Sequence, residues 1–99
     1  MTDTLRQETA FPAGPAGSAA LLEPLLAQAA GPGAEPVSLT LDYGRGLAAG
    51  DPVTVEAWVD RATRTLVFAH ARLVGANGVL AASGSAVFRR DAALAEQVK

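Results

Sequence analysis

The sequence predicts an α+β fold in which a curved antiparallel sheet wraps around one central apolar helix. Three observations carry that expectation. One long run of small and apolar residues has helical spacing, four later segments alternate apolar and polar residues with period two, and glycine- and proline-rich connectors separate them. The 99 residues allow a single domain with a modest core. Hydrophobic residues make up 49% and charged residues 18%, with a mean hydropathy of +0.22, which suits a globular chain rather than a disordered one.

Residues 1–13 mix polar types with Pro12, and they are expected to hold one short strand, frayed at its start. Residues 17–30 read as the central helix: Leu21, Leu22, Leu25 and Leu26 form one leucine face, and Ser18 is the expected N-cap. Opposite the leucines lie Ala16, Ala19, Ala20, Ala27 and Ala30, with Glu23 as the one charge among them. Pro24 has no amide hydrogen, so a kink is expected beside Glu23. "GPGAEP" then ends the helix.

Residues 37–90 read as four antiparallel strands. In the first, Val37, Leu39, Leu41 and Tyr43 face inward, giving a half-buried strand at the sheet edge. In the second, Val53, Val55, Ala57 and Val59 point inward while Thr54, Glu56, Trp58 and Asp60 point outward. "RATR" turns the chain, and "TLVFAHARLV" follows with Leu66, Phe68, His70 and Arg72 on one face. "GANG" is the strongest hairpin signal, because both Asn77 and Gly78 tolerate positive φ. "VLAASGSAVFRR" completes the sheet, and Asp91 is placed to cap a short helix over residues 92–98.

Composition also excludes functions. The net charge is -2 and the pI about 5.2, with eight scattered Lys and Arg, so there is no basic footprint for nucleic acid. The absence of cysteine removes disulfides, thiolate metal sites and thiol nucleophiles. With His70 as the only histidine, neither a metal nor another cofactor is expected. The N-terminus lacks a basic start followed by an apolar core, and no run is long enough to span a bilayer, so the expectation is a cytoplasmic protein without membrane contact. Trp58, Phe68 and His70 should cluster on the outward face, as a subunit contact or under the C-terminal helix.

The segment "VSLTLDYGRGLAAGDPVTVEAWVDRATRTLVFAHARLVGANGVLAASGSAVFRR" resembles the second half of small hotdog-fold acyl-CoA thioesterases, of the 4-hydroxybenzoyl-CoA and phenylacetyl-CoA thioesterase type. Their pattern runs strand, "Y-x-R-P-x-x-x-G-D", "V-x-V-x-A-x-V", an arginine-bearing turn and two further strands, and the likeness extends from Gly14 to Arg90. The resemblance implies hydrolysis or binding of an acyl-CoA or acyl-carrier thioester in a groove between subunits of a homodimer or tetramer. It implies Glu23 as nucleophile or general base, the backbone N–H groups of Ala16 and Gly17 as oxyanion donors, and Arg61 and Arg64 as contacts to the coenzyme A phosphates. Gly14 stands where the family has histidine, Pro15 offers no amide hydrogen, and Ala16 replaces a glycine. A catalytically inactive hotdog module that binds an acyl ligand or a protein partner is therefore the alternative.

Overall fold

The computed structural model describes residues 4–14 and 16–90; the helix expected over 92–98 lies outside the described residues. The elements run β1 (Leu5–Ala10), α1 (Gly17–Ala30), β2 (Glu35–Tyr43), β3 (Pro52–Ala62), β4 (Leu66–Gly75) and β5 (Leu80–Arg89). All five strands join one antiparallel sheet in the order β1-β3-β4-β5-β2. Only β3-β4 and β4-β5 are hairpins. The edge strands arrive from afar, with β1 on β3 and β2 on β5.

The inward rows explain how a helix fits inside so small a sheet. Ala57 pairs with Ala71 and Ala71 with Gly84, while Ala69 pairs with Ala86 in the neighbouring row. These residues are too small to stand far off the sheet, so the leucines of α1 reach the backbone layer. Leu22, Leu25 and Leu26 are buried in one cluster with Val53, Val55, Val67, Leu73 and Phe88. Gly84 keeps the trough open, since a Cβ there would lie 3.0 Å from Leu41 Cδ2 and 3.7 Å from Leu22 Cδ1.

The structure alters four details of the sequence reading. Ser18 is not the N-cap. The chain enters the helix earlier, with Ala16 at φ -103° and ψ 23°, its carbonyl accepting from Ala20 N–H at 2.9 Å, so Ser18 is already the second helical residue. Pro24 does not break α1, which runs from Gly17 to Ala30 with the Pro24 side chain exposed. In β2 only Leu39 and Leu41 are half-buried, while Val37 and Tyr43 are 53% and 68% exposed; a bulge between Pro36 and Ser38 breaks the alternation at one end. The "GANG" hairpin forms, but Asn77 keeps a negative φ and Gly78 alone is positive, at 81°. Gly78 N–H donates to Gly75 O at 3.0 Å, closing a longer loop than the two-residue turn that Asn-Gly suggests.

Gly17 fixes the start of α1 against the strand before it. A Cβ at Gly17 would lie 2.8 Å from Phe11 Cζ and 3.2 Å from the carbonyl oxygen of Pro12. Gly17→Ala is therefore expected to lower stability by about 1–3 kcal/mol. Thermal melts check this, and Phe11→Leu in the same chain should recover part of the loss.

Candidate functional site

α1 packs chiefly over β3 and β4 and touches β5, whereas β2 is the outermost strand on that side. The space left between the helix and the β2 edge is an open groove of about 680 Å³. Its helix wall is made of alanines, Ala16, Ala19, Ala20 and Ala27, with Glu23 and Pro24. Its sheet wall holds Pro36, Val37, Ser38 and Leu39, with Ala86 and Phe88 from β5. The alanines at 16, 19, 20 and 27 are what make the groove; larger residues there would close it against β2.

Among the described residues Glu23 is therefore the one carboxylate of the groove lining. It is exposed, and among the described residues it has no hydrogen-bond or ion-pair partner. Ala16 opens the same groove about two turns before it. Gly17 is buried at the helix start, and α1 has no side-chain cap and no acidic residue in its first turn. The first-turn amides thus keep their unmet hydrogen-bonding capacity and the positive end of the helix dipole.

Arg61 and Arg64 do not line the groove. Arg61 is not in the turn: β3 runs on to Ala62, a bulge between Val59 and Arg61 reorients it, and its guanidinium lies 5.6 Å from the centre of the Phe68 ring. Arg64 does sit in the turn. Arg90 pins that turn by donating to the Thr63 carbonyl at 2.6 Å and, from its main chain, to the Thr65 carbonyl at 2.8 Å.

On the outward face, Trp58 and His70 stack with ring centres 5.6 Å apart, as their cross-strand register requires. Asp60 joins them, accepting from Trp58 Nε1 at 2.9 Å and lying 3.2 Å from His70 Nδ1. The acid beside His70 was not legible from spacing, because it depends on the β3-β4 register. Glu56 and Arg72 pair alongside at 2.6 Å. Among the described residues no cluster of three or more His, Cys, Asp or Glu side chains is placed to hold a metal ion. No helix there is long and apolar enough to cross a membrane.

The acyl-CoA thioesterase N-terminal domain family matches residues 10–89, four-fifths of the sequence. The chain belongs to that family. In fold this thioesterase-family domain resembles zebra fish thioesterase superfamily member 2, with a TM-score of 0.80 and 21% identity over 89% of this chain and 75% of that one. A mutant of the phenylacetic acid degradation protein PaaI from Thermus thermophilus gives a TM-score of 0.76 and 24% identity over 91% and 85% of the two chains. A hypothetical thioesterase from Streptococcus pneumoniae, solved with coenzyme A, gives 0.76 and 10% identity over 89% and 81%. The thioesterase-family domain has the hotdog fold these proteins share. A search of the curated proteins gives no significant match.

Proposed function

We propose that this domain hydrolyses acyl-CoA or acyl-carrier thioesters in the groove between α1 and β2, with Glu23 as general base or nucleophile. The observation that carries this reading is the pairing, on one helix, of an uncapped N-terminus that reaches the groove at Ala16 with a groove carboxylate, Glu23, that has no partner among the described residues. Glu23 lies six residues beyond Gly17, roughly 9 Å along the axis, and helical side chains lean back toward the N-terminus. That leaves space for a thioester carbonyl at the Ala16 and Gly17 amides with a water between it and the carboxylate. Glu23 takes a proton from the water, the water oxygen bonds to the carbonyl carbon, and the two N–H groups hold the oxyanion. Collapse breaks the carbon–sulfur bond, and the thiolate leaves with the proton returned to it. In the covalent variant the carboxylate itself attacks and water cleaves the resulting anhydride. Arg64, in the pinned turn, and Arg61 are the proposed contacts to the coenzyme A phosphates, where a planar guanidinium forms paired hydrogen bonds.

A release assay for free thiol over short, medium and aryl acyl-CoAs tests the reading. No release with any of them, together with a rise in melting temperature on adding the same thioesters, would favour the non-catalytic binding module. That second reading is supported by Pro24 beside Glu23 and by the exposure of Glu23 in the single chain.

The groove is one-sided, and we propose that a second copy completes it. The two sheet edges differ in chemistry. β1 carries Arg6 and Glu8, 3.7 Å apart, charges of the kind that discourage further pairing. β2 instead exposes Val37 and Tyr43, with Ser38 and Thr40 between them. Antiparallel pairing of β2 with its two-fold copy would continue the sheet and set a second wall beside the groove. Light scattering is expected to give a dimer or tetramer for the wild type and a smaller species for Val37→Asp. A wild-type monomer at micromolar concentration would refute the pairing.

A further inference from the structure

A second pocket, of about 230 Å³, opens at the other side of the α1 N-terminus, between it and the loop that follows β2. Two features of it bear the same sign of charge. The first-turn amides of α1 have no side-chain cap, and such an end behaves as roughly half a positive charge. Arg45 lines the pocket, and its guanidinium has no partner among the described residues. Among the described residues no carboxylate lines the pocket, and Asp51, in the neighbouring loop, is taken up by the Ala48 amide at 2.9 Å.

Ser18 supplies the independent observation. It lines this pocket, only 8% of its surface is exposed, and among the described residues its hydroxyl has no hydrogen-bond partner. No side-chain oxygen or nitrogen among those residues is both fully enclosed and unpartnered, so the Ser18 hydroxyl retains some accessible surface in a residue that lines the pocket. The loop that carries Arg45 is held rigidly. Gly44 and Arg45 donate their amides to Ala81 and Leu80 carbonyls at 2.8 and 3.2 Å, and a Cβ at Gly44 would lie 2.5 Å from the Leu80 oxygen. The lining also includes Gly14, Gly17 and Gly46.

We propose that this pocket binds an oxyanion group, a carboxylate or phosphate, through Arg45 and the hydroxyl and amide of Ser18, the Ala16 and Gly17 amides being those assigned to the thioester carbonyl. It rests on the proposed function only in its biological source: the group is either a carboxylate at the far end of the acyl chain or a phosphate of the coenzyme A moiety. The binding itself requires no turnover. Titrating ¹⁵N-labelled protein with glutarate, and separately with inorganic phosphate, should move the amide resonances of Gly17, Ser18 and Arg45. Arg45→Gln should weaken binding about tenfold or more and Ser18→Ala several-fold, whereas Arg6→Gln on the far edge should not. Unmoved resonances, or binding indifferent to Arg45→Gln, would overturn the proposal even if the protein proved an active thioesterase. The sources separate in a comparison of glutaryl-CoA, hexanoyl-CoA and free coenzyme A. An Arg45→Gln effect on glutaryl-CoA alone supports an anion pocket filled by the acyl carboxylate. An equal effect on all three supports the same pocket filled by phosphate.

Discussion

Glu23→Gln is expected to lower the turnover of acyl-CoA by roughly 10²- to 10⁴-fold while leaving the fold unchanged. The amide keeps the size of the carboxylate but can neither accept the water's proton nor attack. Because Glu23 is exposed and unpartnered among the described residues, no ion pair or buried contact is lost with its charge. Melting temperature and circular dichroism should therefore match the wild type, and this separates a chemical role from a structural one. Thiol release from matched acyl-CoAs, wild type beside mutant, is the deciding measurement. Equal rates would remove Glu23 from the mechanism. Wild-type inactivity, combined with a thermal shift on adding the thioester, would assign the groove to binding alone.

The second large effect is expected in the core. Leu22→Ala should cost about 3–5 kcal/mol, at the upper part of the range for buried leucine. Leu22 is fully enclosed, and its cluster is rich in alanine: Ala57, Ala69, Ala71, Ala82 and Ala86. Alanines have no rotamers to swing into the space left behind, so the cavity stays largely open. For a domain of this size, with roughly 5–15 kcal/mol in all, such a loss takes a large part of the total. Denaturant titration with an unchanged slope and a lower midpoint would identify it as lost stability rather than an altered unfolded state.

Periodicity made most of the fold legible. The leucine spacing in α1 and the alternation over Val53–Val59 identified the buried faces, since Leu22, Leu25, Leu26, Val53, Val55 and Ala57 are all in the core. What periodicity could not give was the pairing of distant strands. That β1 lies on β3 and β2 on β5 follows from how the sheet curls around the helix, and no local signal encodes it. The bulges at Pro36/Ser38 and Val59/Arg61 were hidden for the same reason, and they account for the exposed Val37 and the displaced Arg61.

The candidate site divides along the same line. The alanine face with Glu23 is a helical pattern and could be read directly, whereas the opposing wall of Val37, Leu39 and Phe88 depends on tertiary assembly. Ser18 was assigned as a cap from its residue type and proximity to the helix start. Its burial without a partner became visible only once Ala16 was seen to begin the helix. The Trp58-Asp60-His70 cluster likewise joins residues that only the β3-β4 register brings together.

The strand order also has a kinetic consequence. β3, β4 and β5 close through short loops, so they can zip early, but Tyr43 must find Ala82 and Leu5 must find Ala57 across long stretches of chain. Contacts so distant in sequence are slow to form, and edge strands are the first to let go. Amide protons of β1, the edge left without a further neighbour, should accordingly exchange with solvent much faster than those of β4, whose neighbours flank it on both sides. The β1 edge is thus the part of the sheet that opens at least cost, whereas pairing with a second copy would hold β2, the outer wall of the groove, in place.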